Sequence, residues 1–193
     1  MTGLLCDWQI KQAIDNGEIK LEGFNMAMDA KMIQPNSIDV RLGNSFVVYK
    51  KKWKAIDPYD DASINSGTKY VQKELIIIRP GDFILGRTHE LITLPDNIAA
   101  SIEGKSSLAR IGLVIHSTGG WIDAGFRGTI TLELSNVNKR AIKLTHMMPI
   151  GQIVFHRISS AAVPYNNRTE AKYMGQIDAT TSRYYKNKGQ ILK

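Results

Sequence analysis

The residues of this chain that could do chemistry begin with a compact cationic stretch at residues 103–110, EGKSSLAR. It contains Lys105, Ser106, Ser107 and Arg110. Hydroxyls, a lysine, an arginine and the free backbone N–H groups at the start of a short helix all bind anions such as phosphate. Ser106 and Arg110 are four residues apart, so they share one face of a helix. The stretch indicates an anion site, although a capped helix with solvated ends would have the same residues.

The same stretch contains Gly104-Lys105-Ser106, which is how a phosphate-binding P-loop ends. The full P-loop pattern requires a glycine at the position of Ala99. The flanking segments predict strands, without the long helix that follows a P-loop. We therefore exclude a P-loop here.

A second candidate lies in residues 116–134, HSTGGWIDAGFRGTITLEL. The glycines at 119–120 predict a turn in which the backbone can approach a ligand closely. The alternation that follows predicts a strand with Thr129, Thr131 and Glu133 on one face and apolar residues on the other. A carboxylate on that polar face is either solvated or available for acid–base chemistry.

The elements that must position these residues are mostly short strands. Apolar or alternating runs separated by Gly and Pro recur between residues 37 and 156, which is typical of a β-sandwich, a jelly roll or a distorted barrel. Two of these strands are expected at residues 83–86 and 91–95. A short helix is expected over residues 7–17, with Asp7 as its N-cap, and one or two helical turns are expected at residues 106–110.

Composition is compatible with one domain over residues 1–193, of which 43% are apolar. The polar residues from about 165 to 193 are compatible with a lid. The net charge is +7, but the one dense basic run, residues 50–54, is interpreted as a solvated loop or strand end. We expect neither a nucleic-acid partner nor a membrane partner. A single cysteine, Cys6, excludes an internal disulfide and fits a cytoplasmic protein.

Together, the two candidate stretches closely resemble the dCTP deaminase family, whose members have the trimeric dUTPase-like fold. Further similarity to family signatures lies at residues 5–7, 34–42, 94–97 and 150–152, and at 171–173 with Gln176. The resemblance implies a mainly β protein, a distorted β-barrel or jelly roll. It also implies a short N-terminal helix and one short helix in the active-site motif.

The resemblance implies that water attacks C4 of the cytosine ring of dCTP and that ammonia leaves, without zinc. Zinc-dependent nucleobase deaminases have H-x-E and P-C-x-x-C motifs, which this sequence does not contain. By similarity, Glu133 takes a proton from water and delivers it to N3 and to the leaving amine. Ser106 and Arg110 then orient the water, the carboxylate and the reacting base.

The resemblance also implies how the rest of the nucleotide is held. Lys105 and Ser107 would contact the phosphates, and Asp123 would bind the 3′-OH of the sugar. The residues implied to close over the nucleotide are Gln152, Lys172, Tyr173 and Gln176. Mg²⁺ would be carried mainly by the triphosphate oxygens, with no protein side chain as a ligand. The family implies a homotrimer with its sites between subunits.

Two departures from the family pattern concern the turn before the strand that carries Glu133. Many members have alanine at the position of Gly119, where the backbone carbonyl helps to hold the nucleophilic water. Single-step deaminases tend to have His-Arg where this chain has Gly120-Trp121. The Gly-aromatic pair looks more like the bifunctional members, which also cleave the triphosphate to give dUMP and pyrophosphate.

Three alternatives stay open at the level of sequence. A dUTP diphosphatase on the same fold would use a carboxylate, Asp123, to activate water at the α-phosphate. A non-catalytic nucleotide-sensing protein could use the same pocket without a proton shuttle. A modified cytosine could replace cytosine as the base if the loop at Gly119 is looser.

Overall fold

The structure is a computed structural model that describes residues 3–50 and 54–188. The strands in these ranges are β1 (Gly3–Leu4), β2 (Lys20–Glu22), β3 (Ile33–Gln34), β4 (Ser37–Arg41), β5 (Ser45–Tyr49), β6 (Thr68–Gln72), β7 (Leu75–Ile78), β8 (Phe83–Thr93), β9 (Ile98–Gly104), β10 (Leu113–Val114), β11 (Trp121–Ile122), β12 (Arg127–Asn136), β13 (Ile142–Thr145) and β14 (Pro149–Arg157). The helices are α1 (Asp7–Asp15), α2 (Met26–Asp29), α3 (Asp61–Asn65) and α4 (Ser106–Ala109), with short 3₁₀ turns at Ala30–Met32, Tyr165–Asn167 and Tyr184–Asn187.

The strands form two large antiparallel sheets and one small one. The first sheet has the order β11-β9-β14-β4-β3, with β1 added to β14. The second has the order β10-β12-β8-β5-β6, with β2 added to β8, while β7 and β13 pair separately. Fully buried residues from both large sheets, such as Ile38, Ile102, Phe46 and Leu132, belong to one continuous core. The predicted mainly β fold is confirmed, as is the short helix after β9.

The N-terminal helix is confirmed, but its predicted cap is wrong. Cys6 is the N-cap of α1, and Asp7 is the first helical residue. The backbone N–H of Cys6 donates to Oε1 of Gln9 at 3.0 Å, as in a capping box. The carboxylate of Asp7 instead accepts from the backbone N–H of Trp8 at 2.8 Å.

The two strands expected at residues 83–86 and 91–95 form a single long strand, β8. The polar residues between them interrupted the apolar pattern, but Thr88 and Glu90 are buried. The carboxylate of Glu90 accepts from Nε of Arg41 at 2.6 Å and from the Arg41 backbone N–H at 2.8 Å. A long-range ion pair therefore allows the strand to continue through polar residues.

The C-terminal segment, residues 165–188, packs against the second large sheet. Ala179 is fully buried against Val47 and Leu85. The hydroxyl of Thr181 donates to Oδ1 of Asn65 at 2.8 Å.

The basic run at residues 50–54 lies mostly outside the described residues. Among the helices of the described part, none has the length and apolarity needed to cross a membrane.

Candidate functional site

A cavity of about 1040 Å³ opens between β12, the turn that precedes it and the C-terminal segment. Among its lining residues are Gly119, Asp123 and Glu133 from the turn and strand, together with Lys172, Tyr173 and Gln176 from the C-terminal segment. Six of the sequence-predicted site residues are thus brought together in one chain.

Glu133 is held in the cavity wall by backbone groups. Its Oε2 accepts from the backbone N–H of Ser117 at 2.7 Å. Its own backbone N–H donates to the carbonyl of Ile115 at 2.8 Å, so the loop after β10 holds both the backbone and the side chain of Glu133. The side chain is half-buried, which leaves a carboxylate that is oriented and still accessible for proton transfer.

Thr129 is opposite Leu91 and Thr131 is opposite Arg87, so the irregularity in the pairing lies in β8 and the predicted alternation of β12 continues past it. Thr131 and Glu133 line the cavity as predicted. Thr129 does not line the cavity with them: it is 2% exposed, and its hydroxyl donates to the carbonyl of Ile177 at 3.0 Å. Thr129 is therefore an attachment point for the C-terminal segment.

Gln176 is the main link between that segment and β12. Its Nε2 donates to the Thr129 carbonyl at 2.6 Å and approaches Oγ1 of Thr131 at 3.3 Å. Its Oε1 accepts from the hydroxyl of Thr180 at 3.0 Å. The amide of Gln176 is therefore engaged in holding the segment over the cavity.

Tyr173 and Lys172 are tied to the end of the segment through Arg183. The backbone N–H of Arg183 donates to the Tyr173 hydroxyl at 3.0 Å, and its guanidinium lies 5.6 Å from the centre of the Tyr173 ring. The same guanidinium donates to the carbonyl of Lys172. Lys172 and Tyr173 both line the cavity.

The remaining predicted residues lie outside the cavity lining, at the end of β9 and on α4. Ser106, Ser107 and Arg110 are exposed there. Nζ of Lys105 lies 2.7 Å from Oδ2 of Asp39, and Gln152 on β14 accepts a hydrogen bond at its Oε1 from the hydroxyl of Ser37 at 3.0 Å. A single chain therefore divides the predicted site into two groups. We call the first, Gly119, Asp123, Glu133, Lys172, Tyr173 and Gln176, the cavity group. We call the second, Lys105, Ser106, Ser107, Arg110 and Gln152, the α4 group.

The exclusion of a P-loop is confirmed, since α4 has only four residues and β10 follows it.

The cavity contains residues that sequence reasoning did not select. Arg168 adds a second cation to the wall, and Phe126 and Tyr165 form an aromatic pair with ring centres 5.8 Å apart. Burial raises the pKa of Tyr49, which is another lining residue. The only sequence signal for Phe126 was its position as an aromatic residue in a glycine-flanked turn. No local pattern distinguished Arg168 within the polar segment.

A solved structure provides the first comparison with known proteins. The crystal structure of 2′-deoxycytidine 5′-triphosphate deaminase from Agrobacterium tumefaciens superposes with a TM-score of 0.64 at 24% identity, covering 81% of this chain and 47% of that chain. At this identity, the similarity shows the fold. The chain matches less than half of that longer protein.

Sequence comparison identifies the family. The model of the dCTP deaminase-like family matches residues 4–158, and this chain belongs to that family. It is 52% identical over 185 residues to a protein named "dCTP deaminase, dUMP-forming" from Methanospirillum hungatei JF-1, covering 96% of this chain and 98% of that protein. A protein of the same name from Leifsonia xyli subsp. xyli is 46% identical over 188 residues, covering 95% of this chain and 92% of that protein. The resemblance inferred from the motifs is confirmed.

Proposed function

We propose that this protein deaminates dCTP and also cleaves the triphosphate, giving dUMP, pyrophosphate and ammonia. The observation that carries the proposal is the carboxylate of Glu133, held at 2.7 Å by the Ser117 amide in the wall of a cavity large enough for a nucleotide. The name "dCTP deaminase, dUMP-forming" of the relatives supports the same reaction. The Gly120-Trp121 pair of this chain is a further reason to prefer the bifunctional reaction.

In the deamination step, Glu133 acts as a proton shuttle. Its carboxylate takes a proton from water as the oxygen attacks C4 of the cytosine ring, and delivers that proton to N3. The second water proton then passes to the exocyclic amine, the C4–N bond breaks, and ammonia leaves. Ser106 and Arg110 orient the water, the carboxylate and the base. A second water then attacks the α-phosphorus, the bond from this phosphorus to the oxygen that bridges to the β-phosphate breaks, and pyrophosphate leaves, which gives dUMP.

Asp123 and the C-terminal segment hold the nucleotide in this proposal. Asp123 is exposed on the cavity wall, where its carboxylate can accept a hydrogen bond from the 3′-OH of the sugar. Lys172, Tyr173 and Gln176 cover the same cavity from the other side. Residues 165–188 thereby form a lid, attached to β12 through Gln176.

The α4 group completes the site from a neighbouring subunit of a homotrimer. Ser106, Ser107 and Arg110 are exposed, Lys105 and Gln152 are partly exposed, and all five lie outside the cavity of their own chain. The hydroxyl and cationic groups of this set suit the phosphates of a nucleotide. Lys105, Ser107 and Gln152 would bind the phosphates. Assembly between subunits explains why one chain separates its candidate residues.

Mg²⁺ enters in this proposal as part of the substrate. Triphosphate oxygens are the ligands that this ion prefers. The described residues present no group of three or more His, Cys, Asp or Glu side chains with metal-binding geometry. The cations Lys172 and Arg168 on the cavity wall offset the charge of the complex. A cytoplasmic location is also part of the proposal, and the single cysteine supports it.

The test is analysis of the products from dCTP and Mg²⁺ with purified protein. Ammonia, dUMP and pyrophosphate in equal amounts are expected. Ammonia with dUTP would limit the reaction to deamination. Conversion of added dUTP without reaction of dCTP would show a dUTP diphosphatase, and binding of dCTP without turnover would show a nucleotide sensor.

A further inference from the structure

Two buried residues of β4, Ser37 and Asp39, each contact a residue of the α4 group. Oδ2 of Asp39 lies 2.7 Å from Nζ of Lys105. The hydroxyl of Ser37 donates to Oε1 of Gln152 at 3.0 Å. Ser37 is 2% exposed and Asp39 is 8% exposed. Because they are two residues apart in a strand, both side chains lie on the same face of the sheet.

The register of the sheet explains how β4 reaches these partners. Asp39 is opposite Gln152 on β14, and Gln152 is in turn opposite Glu103 on β9. Lys105 follows at the end of β9, at the start of α4. One polar row therefore crosses three adjacent strands at Asp39, Gln152 and Glu103, and Lys105 lies two residues beyond Glu103.

Burial of the Asp39 carboxylate costs desolvation free energy that its contacts within the chain do not offset. Its Oδ2 contacts Lys105 and, at 3.4 Å, Nε2 of Gln34. Its Oδ1 is buried and has no hydrogen-bond partner among the described residues. The Lys105 side chain is 29% exposed, so solvent screens the attraction between the charges, and this attraction does little more than offset the desolvation of the carboxylate. The pair therefore calls for an explanation other than stability.

We propose that Asp39 is a positioning residue that fixes Lys105 for the phosphates of the nucleotide. This inference rests on the proposed function, because it takes Lys105 as a phosphate ligand. A free lysine side chain has many rotamers, and binding must restrict them. Asp39 restricts them before the nucleotide arrives. An ammonium has three N–H donors, so two are left for phosphate oxygens.

Ser37 prepares Gln152 in the same way. Its hydroxyl occupies the acceptor end of the amide, which leaves the two donors of Nε2 to face an anion. Neighbouring positions of β4 thus orient one cation and one amide of the α4 group.

The test is the inhibition constant of inorganic tripolyphosphate, together with KM and kcat for dCTP. Asp39→Asn keeps the shape and one oxygen acceptor but removes the charge. We expect it to raise the inhibition constant and KM about tenfold, since the ion pair is replaced by a weaker hydrogen bond from the ammonium to a neutral amide oxygen, with kcat changed less than about twofold. Asp39→Ala should raise both constants further. Thermal unfolding of each variant checks that it is folded.

A double-mutant cycle separates positioning from a structural role. If Asp39 acts through Lys105, then Asp39→Asn should have no further effect in a Lys105→Met background. Equal losses in both backgrounds would overturn the proposal. Asp29→Asn is the matched control, because Asp29 is paired with Arg41 at 3.2 Å and should leave the inhibition constant unchanged.

The same measurements distinguish failure of the proposed function from failure of the role proposed for Asp39. An unchanged inhibition constant in Lys105→Met alone would refute Lys105 as a phosphate ligand, and the role of Asp39 with it. A raised constant in Lys105→Met with an unchanged constant in Asp39→Asn would refute only the role of Asp39. Ser37→Ala should raise the constant in the presence of Gln152 and have no effect in Gln152→Ala.

Discussion

Gly119 lies against the carboxylate of Glu133: a β-carbon added at position 119 would be 3.2 Å from Oε1 of Glu133. This distance is tighter than an ordinary carbon–oxygen contact. The φ angle of Gly119 is outside the left-handed region, so alanine is allowed by the backbone. The glycine therefore leaves space beside the carboxylate.

Gly119→Ala should lower kcat by about tenfold, because a small displacement of a proton-transfer group is costly to the reaction. KM for dCTP should change little, since the added methyl group faces the carboxylate of Glu133. Steady-state kinetics of ammonia release gives both constants. An unchanged kcat would show that the carboxylate has room to move, and would remove the significance of glycine at this position.

Glu133→Gln should abolish ammonia release while nucleotide binding persists. The amide keeps the size of the side chain and can still accept from the Ser117 N–H, but it cannot take a proton from water. Calorimetric titration with dCTP measures binding, and an ammonia assay measures turnover. Loss of binding would instead indicate that Glu133 has a structural role in the turn.

Gln176→Leu should release the C-terminal segment from β12. The substitution removes the hydrogen bonds of the side-chain amide to Thr129 and Thr180. Buried polar groups are then left without partners, at a cost of about 1–3 kcal/mol. We expect a higher KM and faster proteolysis after Arg168 and Lys172. Gln72→Leu is the control, because Gln72 is exposed at the end of β6. Identical proteolysis of the two variants would contradict the role of Gln176.

The ion pair of Glu18 and Arg157 should make stability depend on pH. The guanidinium donates to both carboxylate oxygens, at 2.5 and 2.9 Å, and this hydrogen bonding lowers the pKa of Glu18 below its ordinary value. Because the pKa of Glu18 is lower in the folded state than in the unfolded state, the ion pair contributes stability above the pKa of the unfolded state. This contribution is lost as the pH falls through the pKa of the folded state.

Glu18→Gln should therefore lower the free energy of unfolding by about 1 kcal/mol at neutral pH. The difference from wild type should shrink as the pH falls below the ordinary pKa of a glutamate and through the lowered pKa of Glu18. Urea unfolding at pH 7 and at pH 3.5 measures it. Glu22→Gln is the control, since Glu22 and Arg127 are 60% and 47% exposed. If the difference in unfolding free energy between Glu18→Gln and wild type stayed constant with pH, the ion pair would not be the source of the pH dependence.

Residues that belong to regular local patterns could be predicted from the sequence. The alternation around Glu133 placed the carboxylate on the polar side of its strand, and the glycine turn at 119–120 placed a loop next to it. The short helix α4 followed from its residue types. These features depend on neighbours in sequence, which a pattern records.

Long-range contacts could not be predicted in this way. The continuity of β8 depends on the pairing of Glu90 with Arg41, 49 residues apart. The position of the C-terminal segment depends on bonds between Gln176 and Thr129, 47 residues apart. The contact of Asp39 with Lys105 likewise depends on strand order. None of these contacts leaves a periodic signal, so the structure was needed to find them.

Mixing two inactive variants should restore activity if the α4 group of one subunit serves the cavity of another. A Glu133→Gln subunit retains Arg110, and an Arg110→Ala subunit retains Glu133. In randomly mixed cyclic trimers, a site combines an intact Glu133 with an intact Arg110 in about a quarter of cases, because each subunit contributes a different part. Co-expression with two purification tags, followed by the ammonia assay, measures the recovery. Trimers made only of Glu133→Gln subunits and trimers made only of Arg110→Ala subunits should both be inactive. No recovery in verified mixed trimers would mean that Arg110 and Glu133 of the same chain act together, and a monomer by light scattering would exclude shared sites altogether.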